Sequence, residues 1–257
     1  MIIFNNIRTK RLAVRLREIS IQQAVAVCRL PADRHEATTT EFLRFVAAGA
    51  ECPTPAYVTD PRLMTVEERT LLVCHYLSQV SPGGPDFSVG DTSKFSDYVS
   101  FADDIGVLSV DMGEVAGERR TLYPLLGIHA ELLERLCVSR GDWLIGMMAC
   151  QIHTHGQQQP DYAQMTDTAL LEWCSERIKA MRDMAESDME ELYLQYETCN
   201  KELRHFFITG ADDGGLVFWP QAEAEGAGQS NPARFRALSC VSEFTKRIFY
   251  GFDQSGR

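Results

Sequence analysis

The sequence predicts a mainly α-helical protein with a small β component, an α+β fold. Three patterns carry that expectation. Apolar residues recur at spacings of three and four through most of the chain, residues 11–19 alternate strictly, and residues 107–125 alternate on both sides of a glycine-containing turn. They divide the chain into a globular α+β unit over 1–160, a long helix or helical hairpin over 166–208, and a 209–257 segment holding a strand, a flexible linker and a terminal amphipathic helix.

In RLAVRLREI (11–19), Leu12, Val14 and Leu16 point one way while Arg11, Arg15 and Arg17 point the other, which predicts a strand with one buried and one basic face. Ser20 and Gln23 have the spacing of a capping box, and the helix they open runs to Pro31. PADRHEATTTEFLRFVAA follows as a second helix, capped by Asp33 with Glu36 or by Thr38 with Glu41. The segment 48–62 holds three prolines and reads as a connector. Thr65 and Glu68 form a further capping box for the helix VEERTLLVCHYLSQV, which the Gly- and Pro-rich stretch 81–90 ends.

SKFSDYVSF suggests a short helix, and VLSVDMGEVAGERRTLYPL a β-hairpin with Gly113 and Gly117 at its turn. Helices are expected over 128–137 and 141–152, then a polar loop over 153–165. From Asp167 to Phe206 the helical pattern is almost unbroken, with a slip in the beat at Met181, Ala185 and Met189. A stuttering single helix and a hairpin with a fresh cap at Ser187 both fit; the absence of Gly and Pro there favours the single helix. GADDGGLVFWP is a turn running into a strand, 221–232 has linker composition, and ARFRALSCVSEFTKRIFYGF is an amphipathic helix presenting Phe235, Leu238, Val241, Phe244 or Thr245, and Ile248.

A chain of 257 residues, 45% hydrophobic and 24% charged, has enough interior to fold without staples. A net charge of −11 argues against general affinity for a nucleic-acid backbone. The opening MIIFNNIRTKRL lacks the order of a signal peptide, and WLIGMMACQI (143–152) is about half the roughly 20 residues a membrane-spanning helix needs. A soluble protein made in a cytoplasm is therefore expected. The eight cysteines, at 28, 52, 74, 137, 150, 174, 199 and 240, include no C-x-x-C pair and read as free thiols.

Candidate sites are few. Cys74 and His75 are neighbours, but adjacent residues on a helix point roughly 100° apart, so they are not each other's catalytic partners. Cys74 is expected at the flank of the core, and His75 on the wet side with Glu68, Ser78 and Gln79. Cys150, His153 and His155 supply three potential metal ligands, with Asp161 as a fourth, but they form one cluster where structural zinc sites use two separated pairs. No phosphate-binding glycine loop, nucleophile elbow or calcium loop is present, and no cofactor is expected.

Two features stand out as contact surfaces. Arg8, Lys10, Arg11, Arg15 and Arg17 place five cations in ten residues, either as a solvated face or as a docking edge for an acidic partner. The seam Met189, Leu192, Tyr196, Leu203 and Phe206 either packs within the fold or meets another subunit, as Phe235 and Phe244 of the terminal helix do in a docking reading.

REISIQQAVAVCRLPADRHEATTTEFLRFV, LMTVEERTLLVCHYLSQVSPGGPDFSVG, YPLLGIHAELLERLC and GDWLIGMMACQI together resemble baseplate-associated or tail-assembly proteins of tailed bacteriophages, over about residues 15–155. The resemblance implies a non-enzymatic structural part of a phage tail, or an assembly chaperone absent from the finished virion. It implies a location in the host cytoplasm and then the virion tail. Tail or baseplate proteins and a second copy of the chain are the implied partners, with no nucleic acid and no membrane. The alternative from another class is a small metal-dependent protein using Cys150, His153 and His155.

Overall fold

The computed structural model describes residues 2, 4–51, 60–221 and 231–250. Most of the predicted connector, Cys52 with it, and most of the predicted linker lie outside them. The fold is mainly helical with small sheets, an α+β protein as the sequence predicts.

Strands β1 (Ile7–Arg8), β2 (Ala13–Leu16) and β3 (Ala47–Glu51) form an antiparallel sheet in the order β1-β2-β3. The alternating N-terminal strand is thus the central strand, paired with β1 through Ile7↔Val14 and with β3 through Val14↔Ala50. The expected free edge at this segment is not there. Between β2 and β3 come α1 (Ile21–Cys28) and α2 (His35–Val46).

The α1 capping box forms as predicted, with Ser20 accepting from the Gln23 amide. Helix α2 takes neither predicted cap. Its Thr38 and Thr39 hydroxyls bond back to the Arg34 and His35 carbonyls, at 2.6 and 3.0 Å. The cap comes instead from elsewhere: the amides of Glu36 and Ala37 donate to the Glu134 carboxylate at 2.8 and 3.0 Å. A carboxylate at a helix N-terminus satisfies orphan amides and favours the local dipole.

Helix α3 (Val66–Val80) opens on the predicted Thr65/Glu68 box and is buried nearly all round. A short strand pair follows, β4 (Ser88–Val89) with β5 (Ser93–Lys94); the predicted helix over SKFSDYVSF reduces to a 3₁₀ turn at Phe95–Asp97. The predicted hairpin is β6 (Val110–Val115) with β7 (Glu118–Leu122). Its two-residue turn holds Ala116 and Gly117 at φ +51° and +74°, the hand that matches strand twist. Helices α4 (Gly127–Leu136) and α5 (Arg140–Gln151) come next. The expected polar loop after them begins as a strand, β8 (Ile152–Thr154), which pairs with β7 through His153↔Thr121.

The long helical run is two helices, α6 (Asp167–Arg182) and α7 (Glu186–Leu203). They part because they serve different surfaces: α6 packs on α4 and α5, and α7 on the β6–β7 hairpin. Ala185, in extended backbone, starts α7, so Ser187 is already inside it. Strands β9 (Ile208–Asp212) and β10 (Gly215–Trp219) pair as a hairpin where one strand was expected. The terminal amphipathic helix is shorter than its pattern. Residues 233–236 are mostly extended, Ala237–Cys240 makes a 3₁₀ turn, and only α8 (Glu243–Tyr250) is α-helical. Ser242 caps it, accepting from the Thr245 amide at 3.3 Å. One continuous apolar core contains residues from all three predicted segments, including Leu16, Leu192 and Phe235.

Candidate docking face and buried charges

Arg11 corrects the expectation of an outward basic face. It is 6% exposed, and its Nε lies 3.2 Å from Glu68 Oε1, whereas Arg15 and Arg17 are exposed. Arg11 precedes β2 instead of continuing its alternation, and the bend at residues 10–11 turns its side chain inward. Glu68 in turn is 1% exposed, not on a wet side of α3. One of its oxygens accepts the Thr65 amide at 3.0 Å; burial pushes its carboxyl up to about 7, and Arg11 opposes that shift. His205 Nε2 lies 3.7 Å from the same carboxylate, and its Nδ1 accepts the Ile105 amide at 3.1 Å. Burial, reinforced by the Arg11 charge, lowers the His205 imidazole to about 4. Cys74 is fully buried, and the His75 Nε2 lies 3.0 Å from the Asn5 carbonyl oxygen, so the two neighbours serve different surroundings.

Cys150, His153 and His155 do not converge. The Cys150 sulfur lies 3.6 Å from that of Cys174. His153 stacks edge-on to Tyr123, and its Nε2 is 3.2 Å from the Cys150 carbonyl oxygen. His155 is exposed, its Nδ1 3.1 Å from the Thr121 hydroxyl. Among the described residues no group of three His, Cys, Asp or Glu side chains is arranged to hold a metal ion. These three do not form a ligand set: Cys150 lies at the end of α5, His153 lies in β8 and His155 follows it, each in a different neighbourhood.

The seam on α7 belongs to the core. Leu192, Tyr196, Leu203 and Phe206 are at most 7% exposed and Met189 is half-buried against them. Tyr196 spends its hydroxyl inside, donating to Gln151 Oε1 at 2.9 Å. Phe235 is likewise interior, at the centre of a ring cluster with Phe87, Phe95, Tyr98, Phe207 and Phe218. These six residues offer a partner little or nothing, because their apolar area is already spent within the chain.

Phe244 is different. It is 67% exposed and Ile248 58%, while Thr245 between them is buried, so α8 turns its bulky apolar side to solvent. The helix packs on α1, and its Tyr250 hydroxyl donates to the Cys28 carbonyl at 3.0 Å. Beside it runs a groove of about 810 Å³ whose walls include Ile19, Ile21, Val80, Val241 and Phe244. Ile21, itself 53% exposed, continues the apolar surface onto α1. Arg17 sits just before this wall in sequence. The apolar spacing of the terminal helix was legible in the sequence; which side of it meets the body was not, because Thr245 rather than Phe244 was chosen by packing.

Comparison with protein-family models, with curated proteins and with solved structures finds no match. Among the described residues no helix is long and apolar enough to cross a membrane.

Proposed function

We propose that this protein is a non-enzymatic docking component of a phage tail, baseplate-associated, that binds a neighbouring tail protein through the α8–α1 face. The observation that carries this reading is the exposed row of Phe244 and Ile248 on α8 beside Ile21. Three large apolar side chains left in water on adjoining helices are a cost to a lone molecule and a gain when a partner covers them. Arg15 and Arg17 supply exposed positive charge on an acidic protein. The charged walls of the groove are Glu18 and Glu243, so a partner covering it presents an apolar ridge with cations at its rim, while Arg15 and Arg17 offer a separate contact to carboxylates. The tail assignment itself rests on the segment resemblance over residues 15–155.

Two measurements test it. Mass spectrometry of purified virions should find the chain; its absence moves the reading to an assembly chaperone of the same system. Replacing Phe244 and Ile248 together with Asp should leave the circular dichroism spectrum unchanged and abolish incorporation into tails. Normal incorporation of a folded double variant refutes the docking face.

A further inference from the structure

Away from α8, a cavity of about 470 Å³ opens between the first turn of α2, the end of α4 and the turn joining β9 to β10. Its walls carry six cationic or titratable basic side chains: Arg34, His35, Arg69, Arg135, Arg234 and Arg236. The carboxylates facing them are Asp33, Glu36, Glu134 and Asp213, and most are already engaged. Glu134 caps α2, Glu36 lies 3.5 Å from Arg69 Nη1, and Asp213 accepts the Arg140 amide at 2.8 Å. Arg234 pairs with Asp212. His35, Arg135 and Arg236 have no carboxylate within 4.0 Å among the described residues.

The cations crowd one another. The His35 imidazole is lowered by burial and then by the charges of Arg236 and Arg234, and the Arg236 guanidinium is lowered by burial and then by Arg234. Such crowding is unfavourable until an anion enters. Buried donors are also left over: the Nε atoms of Arg69, 1% exposed, and of Arg234 have no hydrogen-bond partner among the described residues. The backbone makes room as well. A Cβ at Gly214 would meet Arg234 Nη2 at 2.8 Å, and one at Gly215 would stand 3.4 Å from the Trp143 ring, so the glycines let this turn lie close against both side chains.

Ala233 bridges to Phe218 and Arg236 has extended backbone, which lets Arg234 and Arg236 reach one wall. In a helix residues two apart point away from each other, whereas in a strand they share a side. Phe235 packs in the ring cluster, and Arg234, Phe235 and Arg236 all line the cavity.

We propose that this cavity binds a small phosphate monoester, its oxyanion among Arg34, His35, Arg234 and Arg236 and its body against Val138, which lines the same cavity and is 85% exposed. Guanidinium forks match phosphate oxygens in pairs, and the volume falls in the range of about 300–1,000 Å³ typical of small-molecule sites. The site is independent of the docking face and goes beyond the proposed function.

Titration calorimetry on the full chain with phenyl phosphate and adenosine monophosphate tests this, with phenol, adenosine and inorganic phosphate as matched controls. At least one monoester is expected to bind with a dissociation constant below about 1 mM. The uncharged controls should give no heat, and inorganic phosphate should bind more weakly. Arg236→Gln and His35→Gln, at a surface and a half-buried position, should each weaken binding about tenfold with an unchanged circular dichroism spectrum. Absence of binding by both monoesters overturns the proposal, as does equal affinity in the folded variants. Inorganic phosphate binding as tightly as phenyl phosphate overturns the assignment of the body to Val138.

Discussion

Arg69 occupies the space that any side chain on Gly127 would need. A Cβ at Gly127 would lie 2.7 Å from the Arg69 Cδ and Cζ atoms, and Arg69 is 1% exposed. The guanidinium cannot swing away, because its Nη2 donates to the Glu36 carbonyl at 2.6 Å and to the Thr40 hydroxyl at 3.0 Å. Gly127 is also held from its own side, its amide donating to the Met64 carbonyl at 2.9 Å. Gly127→Ala is therefore expected to destabilise the fold by about 2 kcal/mol or more, read by urea denaturation. In an Arg69→Ala background the same change should cost much less, since the clash is gone. Equal costs in the two backgrounds would show that the two residues do not compete for this space.

The hairpin turn offers a gain. Ala116 stands at φ +51°, where an L-residue with a Cβ is strained by roughly 1–2 kcal/mol. Asn tolerates this region, and Asn-Gly is the preferred pair for the two-residue turn that Ala116 and Gly117 make. Ala116→Asn is expected to raise stability by about 1 kcal/mol, seen as a higher melting temperature. An unchanged or lower value would indicate that the turn relaxes to another geometry.

How far the sequence led can be judged residue by residue. Local chemistry was readable: the Ser20 and Thr65 caps, the hairpin and the helical periods depend on neighbours in the chain. What a distant element supplies was not. Glu134 caps α2 across 98 residues, and no inspection of 33–41 reveals it. Arg11 and Glu68 find each other only once α3 lies against the N-terminal sheet. The α6–α7 break has no Gly or Pro to mark it, because it is imposed by two different packing surfaces. Nor did the spacing of Cys150, His153 and His155 disclose that the end of α5 would bury the first, β8 the second, and that the third would stand exposed after it. The basic cavity was hidden for the same reason: its arginines come from 34, 69, 135, 234 and 236, in segments that meet only in the fold.

Buried ionisable groups set opposing pH dependences. Burial lowers His129 to about 3, and His153 and His205 to about 4, against an ordinary 6.5. Between those values the unfolded chain binds more protons, so these groups remove stability as pH falls below 6.5. Glu68 and Glu134 are pushed up by burial to about 7 from 4.5, so in that window the folded state holds the extra proton and acidification favours it. The two carboxylates offset most of what the three imidazoles remove down to 4.5, below which the carboxylate contribution is exhausted. Urea midpoints measured across pH should therefore change little from 7 to 4.5 and fall between 4.5 and about 3, where the imidazoles complete their titration. A continuous decline beginning at 6.5 would show that Glu68 and Glu134 are ionised in the fold.

Charge reversal along the N-terminal segment separates the buried cation from the exposed ones. Arg11 and Glu68 are 7% and 0% exposed at their side chains, so neither has water to fall back on. Arg11→Glu would set two carboxylates against each other in that interior and leave His205 as the nearest imidazole, 3.7 Å from Glu68. Breaking a buried pair costs about 3–5 kcal/mol, and reversal adds repulsion, so loss of the folded state by circular dichroism is expected. Arg15→Glu instead changes an exposed side chain on the central strand, with its ladder bonds untouched. Arg17→Glu removes one further contact, the Nε donation to the Phe45 carbonyl at 2.8 Å, at the surface. Both variants should fold with near-native melting temperatures, and under the docking reading both should weaken association with an acidic partner most at low salt, the deficit shrinking as salt rises. If Arg11→Glu folds normally, the side chain has an outward alternative, and the whole basic segment is available for contact after all.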